Sequence, residues 1–385
     1  MDDDAKLIDL FRSEYAKVPR LFSAPGRVNL IGDHTDYNDG FALPIAIGRR
    51  TVVAAARRSD RTIHVRSLGI GARAELDLAT PSFVRRHAWL DYVEGMARAL
   101  MSRGLRTEGA DLLVASDVPM GAGLSSSAAL EMSVGLALVA LAGDDRFSAR
   151  DIALAAQSAE HTYVGTLSGI MDQLVAACGQ KDAALLIDCR TLCTTDVPCA
   201  LPGATIVVCN TNVKRELAAS AYNERRRECE TSVAALRVRL HELRSLRDLS
   251  LEDLAAHGDV LTEPLRRRCR HVLSENARTL GVVRALGQND LVELGRLMTA
   301  SHASLRFDYE VSCPELDHCV EVAAALPGVF GARMTGGGFG GCTVNLVAEG
   351  AAGELAATLD HSFAAHFGHR PDVFVVRASN GMKEH

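Results

Sequence analysis

The apolar run from Ala128 to Ala142, broken by Glu131, follows directly on a glycine-rich loop from Gly121 to Gly123 and three serines, and this junction constrains the fold more than any other part of the chain. The run predicts a helix that is hydrophobic on most faces, which must be buried on nearly every side. It is shorter than the roughly 20 apolar residues needed to cross a bilayer. The chain therefore has to build a large core around this helix, and the glycine loop has to sit at the helix entrance.

A length of 385 residues with 48% hydrophobic content supplies such a core and predicts two domains. The break is expected within Leu192 to Gly203, where Pro198 and Pro202 lie, dividing the chain into residues 1–195 and 196–385. A net charge of -6 gives no basic field, so neither nucleic acid nor a membrane surface is an expected partner. The ten cysteines show no CxxC pair and no histidines at zinc-ligand spacing, and read as small buried thiols of a cytoplasmic protein. The opening MDDDAKLIDLFRSEY lacks the basic start and apolar middle of an export signal.

Along the chain, an acidic leading helix ends near Pro19, and apolar runs around Asn38-Asp39-Gly40 predict a hairpin within Leu21 to Arg57. Helices are expected over Trp89 to Leu100, Asp151 to Tyr163 and Ser168 to Ala177. Strands are expected at Ala110 to Ser116, Ala183 to Ile187, Thr205 to Cys209, Val329 to Met334 and Cys342 to Val347. The stretch from Tyr222 to about Ser304 reads as helical, with the arginine runs 225–227 and 266–268 as solvated faces.

Three segments can carry chemistry. In PGRVNLIGDHTDYN, Pro25 to Asn38, the residues Asp33, His34 and Asp36 fit a turn that satisfies its own backbone, and equally a sugar whose hydroxyls each need an oriented partner. A metal centre there lacks further spaced ligands. In PMGAGLSSSAAL, Pro119 to Leu130, the glycines let the backbone wrap an anion, and the free amides at the helix start favour phosphate. An ordinary serine cap with turning glycines is the plainer alternative. In RMTGGGFGGC, Arg333 to Cys342, a GxGxxG match is weak because a strand rather than a helix follows. A loop closing over phosphates or substrate fits better than a dinucleotide fingerprint.

Taken together and in this order, the segments resemble the GHMP small-molecule kinases and, within them, the galactokinase family. Gly26 to Asn38 differs at one position from that family's GRVNLIGEHTDYN signature, and GLSSSAAL at Gly123 to Leu130 is intact. Further similarity runs through WxxYVxG at Trp89 to Gly95, AEH at Ala159 to His161, GIMDQ at Gly169 to Gln173, LLIDCR at Leu185 to Arg190, and the final glycine loop. The resemblance implies an α+β, two-lobed fold, with a left-handed βαβ unit in the N-terminal lobe and a ferredoxin-like C-terminal lobe. It implies ATP-dependent phosphorylation of galactose at the C1 hydroxyl, the first committed step of galactose catabolism, using Mg2+; a monomer is expected, with self-association left open.

By the same resemblance, Asp172 is the catalytic carboxylate and Arg27 lies beside it. The sugar would contact Asp33, His34, Asp36, Gly169, Asp172 and Tyr222. The nucleotide would lie along Gly121, Ala122, Gly123, Leu124, Ser125, Ser126 and Ser127, with Ser127 and Glu160 holding the metal. Trp89 is placed either near the adenine or in the core. The family usually has glutamate where this chain has Asp33, and losing a methylene retracts the carboxylate by roughly 1.5 Å. A kinase for N-acetylgalactosamine and a kinase-inactive galactose sensor are therefore the alternative readings. A nicotinamide oxidoreductase would rest only on the weak glycine match.

Overall fold

The computed structural model describes residues 2–213 and 218–385. The chain opens with α1 (Asp2–Tyr15) and β1 (Arg20–Asn29), makes an excursion through a 3-10 turn at Asp36–Asn38 and the short β2 (Phe41–Ala42), and returns along β3 (Pro44–Arg57). β1 and β3 form the expected hairpin, paired from Arg20 opposite Ala55 to Asn29 opposite Pro44 with a shift of register between Pro25 and Arg27. The Asn38-Asp39-Gly40 turn does not close that hairpin. It redirects the excursion, with Asp39 in the left-handed region at φ 59°.

There follow β4 (Thr62–Ser67), β5 (Ala72–Asp77), α2 (Leu90–Ser102), β6 (Ala110–Ser116) and α3 (Ser126–Ala142). β4 and β6 are parallel, with β5 and α2 in the connection between them. α3 is the buried helix that the apolar run requires: Met132, Val134, Ala137 and Leu138 are all 0% exposed. Each large apolar side chain buried this way contributes roughly 1.5–3 kcal/mol before the entropy cost of ordering it.

α4 (Ala149–Ala159) starts two residues earlier than expected, because Ser148 and Asp151 form a capping box. It also ends early, in a π-helical turn over Glu160–Val164 whose carbonyl at Glu160 accepts the Gly165 amide at 2.7 Å. α5 (Met171–Cys178) begins three residues later than expected. The carboxylate of Asp36 lies beside the Met171 amide at the start of this helix, where the unpaired helix amides favour its charged form.

β7 (Ala183–Asp188) and β8 (Cys193–Pro198) pair antiparallel, and β2 joins β7 to make a three-stranded sheet. β8 lies within the expected linker. The expected division between residues 195 and 196 falls inside this strand.

The second half contains β9 (Ala204–Asn210), α6 (Ala218–Leu236), α7 (Leu251–His257), α8 (Glu263–Gln288), α9 (Leu291–Phe307) and α10 (Pro314–Ala324). It continues with β10 (Val329–Thr335), β11 (Cys342–Ala348), α11 (Ala352–Phe367), β12 (Asp372–Val376) and β13 (Lys383–Glu384). The sheet order β10-β11-β9-β12, with helices after the first and third of these strands in sequence, is the ferredoxin-like arrangement. β13 returns to the first sheet beside β1, giving the order β13-β1-β3-β6-β4-β5.

The arginine runs are not uniformly solvated. Arg268 is 3% exposed, with Glu228 and Glu310 at 2.9 and 2.6 Å, so it ties α6 to α8. All ten cysteines are free thiols. Among the described residues no helix is long and apolar enough to cross a membrane.

Candidate active site

A cleft of about 310 Å³ opens where the excursion after β1, the entrance of α3, the start of α5 and the β10–β11 loop converge. Ser125 precedes α3 in the left-handed conformation, φ 60° and ψ 45°, and its side chain does not cap the helix. The first amides of a helix have no intrahelical acceptor, so this entrance keeps its donors for an anion, and the helix dipole reinforces them. Gly121, Gly123, Ser125, Ser126 and Ser127 line the cleft. Ala122 and Leu124 do not: their side chains are buried in the core that includes Val28 and Val344, and anchor the loop from behind.

The Ser125 hydroxyl instead donates to Asp172 Oδ2 at 2.5 Å. Arg27, at the far end of β1, grips the same carboxylate in two places, Nε to Oδ1 and Nη2 to Oδ2, both at 2.8 Å. Its remaining amino group donates to the Gly123 carbonyl. One side chain thus fixes the first-turn carboxylate of α5 to the phosphate loop, with the planar two-point geometry that lysine cannot supply. Asp172 keeps 28% of its side chain exposed, against 5% for Arg27.

The other wall is more enclosed. Asp33 is 1% exposed, and accepts hydrogen bonds from Arg333 Nη2 at 2.6 Å, Asn29 Nδ2 at 2.8 Å and the Gly336 amide at 3.2 Å. Burial pushes its carboxyl pKa up, and Arg333 opposes that. His34 Nδ1 is hydrogen-bonded to the Tyr37 hydroxyl at 2.7 Å, while Nε2 faces the Gly337 backbone without the geometry of a full hydrogen bond. Burial holds this imidazole neutral.

Asp36 is raised to about 6 by burial and by the neighbouring charge of Asp172. Gly169 is required beside it, because a side-chain carbon there would fall 1.7 Å from Asp36 Oδ2. Tyr222 packs its ring 5.4 Å from that of His34. Burial and the carboxylates of Asp36 and Asp172 push its hydroxyl pKa up, so it remains a neutral phenol.

Glu160 is placed at the cleft by the π-helical turn and accepts a hydrogen bond from the Ser168 hydroxyl, with Ser127 nearby. Burial foremost, and the charge of Asp172, raise it to about 7. Among the described residues, no three or more His, Cys, Asp and Glu side chains could hold a metal ion by themselves. One carboxylate and one hydroxyl beside a phosphate cradle nonetheless suit Mg2+, which keeps its waters and uses substrate phosphates as ligands.

The structure thus brings Arg27, Asp33, His34, Asp36, Glu160, Gly169, Asp172 and Tyr222 to one cleft with the serines. Trp89 is not part of it and packs against the core around α2 and α3. Sequence reasoning does not find Arg333 or Ser168, nor Tyr92 and Thr166, which also line the cleft. In the sequence Arg333 reads only as the start of a glycine loop and Ser168 as the start of a helix. Ser125 reads as a phosphate contact and does line the cleft, while nothing in the sequence signals its bond to Asp172. β10 is buried on both faces from Gly331 to Thr335, so no alternation in the sequence marks Arg333 as an inward position.

Comparison with known proteins agrees with this geometry. The galactokinase galactose-binding signature matches residues 9–57, the GHMP kinase N-terminal domain residues 91–180 and the GHMP kinase C-terminal domain residues 282–365. The chain is 47% identical to a galactokinase of Roseiflexus sp. (strain RS-1), over 99% of this chain and 97% of that one. It is 48% identical to a galactokinase of Chloroflexus aurantiacus, over 94% and 93% respectively. The crystal structure of Lactococcus lactis galactokinase complexed with galactose superposes with a TM-score of 0.95 at 36% identity, covering 99% of both chains. A mevalonate kinase at 18% identity and a TM-score of 0.62, covering 94% of this chain and 99% of its own, shares the fold. The chain belongs to the galactokinase family of GHMP kinases.

Proposed function

We propose that this protein transfers the γ-phosphoryl group of ATP to the C1 hydroxyl of galactose, giving galactose 1-phosphate and ADP. The observation that carries the reading is the Arg27–Asp172 pair, held against the phosphate loop and still open to the cleft. Arg27 and Ser125 supply one donor to Oδ1 of Asp172 and two to Oδ2, which leaves Oδ1 a lone pair for the incoming hydroxyl. Asp172 orients that hydroxyl and receives its proton as the sugar oxygen bonds to phosphorus and the bond to the ADP oxygen breaks. A weak base suffices, because phosphoryl transfer has a loose transition state and depends on alignment and charge neutralisation.

The amides at the α3 entrance hold the phosphates, and Arg27 is placed to offset charge on the moving group. Ser127 and Glu160 would hold Mg2+, which supplies further neutralisation of phosphate charge when bound. Asp33, His34, Asp36 and Tyr222 would bind the sugar, with His34 Nε2 directed to a hydroxyl. Residues 1–195 would form the lobe carrying the phosphate loop and 196–385 the lobe that closes on it, with the exchange at β8 and β13 joining them.

A coupled ADP-release assay across hexoses, including N-acetylgalactosamine, tests the reading. Galactose should give the highest kcat/KM. A clear preference for the N-acetyl sugar would reassign the substrate, and ligand-induced stabilisation without any ADP release would make the protein a sensor.

A further inference from the structure

Behind the sugar wall lies a line of alternating charge that leads away from the cleft. Asp33 Oδ2 accepts from Arg333 Nη2 at 2.6 Å, and the same nitrogen lies 3.8 Å from Glu275 Oε1 on α8. Glu275 Oε1 also accepts the Gly32 amide at 3.0 Å and the Ser301 hydroxyl at 2.6 Å. Its Oε2 accepts from Arg278 Nε at 2.7 Å. Arg333 and Glu275 are 0% exposed, while Arg278 is 14% exposed and lies in a separate groove between α7, α8 and α9. Neither Glu275 nor Arg278 lines the cleft.

Arg333 is therefore shared between two carboxylates, and Arg278 decides how strongly the second competes. With Arg278 present, Glu275 has its own cation and Arg333 stays with Asp33. Without it, a buried and uncompensated carboxylate would draw Arg333 away, since an unpaired buried charge is costly and takes whatever partner is within reach. Asp33 would then lose its shortest hydrogen bond, and the wall that it forms would loosen.

We propose that Glu275 and Arg278 are positioning residues for sugar recognition, acting through Arg333 on Asp33, so that a charge pair outside the cleft sets part of the sugar affinity. The inference rests on the assignment of Asp33 to the sugar side. It agrees with the low carboxyl pKa of Glu275, which its neighbouring cations, Arg278 foremost, hold at about 2 against the opposing effect of burial.

The relation predicts a rescue that a merely structural role does not. Arg278→Met should raise the Kd and KM for galactose about tenfold, the size expected for one charge-assisted hydrogen bond, with KM for ATP changed less than about twofold. Arg278→Lys should stay close to wild type. Adding Glu275→Gln to Arg278→Met removes the competing charge but keeps an oxygen for Gly32 and Ser301, and should return the galactose Kd most of the way. Arg278→Gln takes the place of the methionine variant if that one does not fold.

An unchanged galactose Kd in a folded Arg278→Met protein, or a double variant no better than the single, overturns the proposal. Wild-type protein that neither binds nor phosphorylates galactose overturns the functional reading alone. In that event a cycle of Arg278→Met, Asp33→Asn and both, read on unfolding free energy, still decides: non-additive losses support the coupling and additive losses reject it.

Discussion

The two arginine–aspartate pairs of the cleft are built from the same groups and held in opposite ways. Arg27–Asp172 sits against the glycine loop before α3, with its carboxylate 28% exposed and steadied by a hydroxyl and a two-point guanidinium contact. Arg333–Asp33 sits on the opposite wall, proposed above for the sugar, with both side chains at 2% exposure or less and a backbone amide and an asparagine filling the remaining positions. A carboxylate that must take a proton has to remain reachable. One that only recognises a hydroxyl gains from being fixed, because every partner it already has lowers the cost of ordering it on binding.

This contrast is open to direct attack. After the loss of Asp172 itself, the largest change should come from Arg27→Lys, which keeps the charge and loses the two-point grip: kcat is expected to fall on the order of 10²-fold with galactose KM little changed. A loss confined to KM would place Arg27 on the recognition side instead.

The next effect is in pH. With Asp36 at about 6 and its ionised form needed as a hydrogen-bond acceptor, galactose KM should rise toward tenfold for each pH unit below 6, and Asp36→Asn should remove that dependence. The sign for stability is the reverse. A folded-state pKa raised above the ordinary carboxylate value means the folded state holds the proton more tightly, so stability from this group is fully present below about pH 4 and is lost as pH rises through 6. Thermal unfolding of ligand-free wild type and Asp36→Asn across that range should show the difference.

The smallest effect is expected at Asp33→Glu, where galactose kcat/KM should be preserved or improved within about threefold, a change below one kcal/mol. A large loss of galactose affinity would mean that the Arg333 pocket is built around the shorter acid.

Much of the phosphate side was legible in the sequence, because a glycine loop entering an apolar helix is a local pattern with a local consequence. The strands β6, β7, β9, β10 and β11 were legible for the same reason. β8 was not, since its burial pattern exposes every residue but Val197 and leaves no alternation to read. The end of α4 depends on the π-helical turn at Glu160, which periodicity does not record, and nothing in the apolar spacing signals that α5 starts only at Met171. The sugar wall was the least legible. Asp33 and Arg333 are 300 positions apart, and only the folded chain places them 2.6 Å from each other. Arg268 was misread on similar grounds, as its partners Glu228 and Glu310 lie on separate elements.

The most direct trial of the mechanism is Asp172→Asn, measured for galactose binding by calorimetry and for galactose-dependent ADP release in parallel. Retained binding within a few-fold, with turnover reduced by roughly 10³-fold or more, is the outcome required if this carboxylate aligns the alcohol and takes its proton. A folded Asp172→Asn protein releasing ADP at a rate near that of wild type would contradict the account.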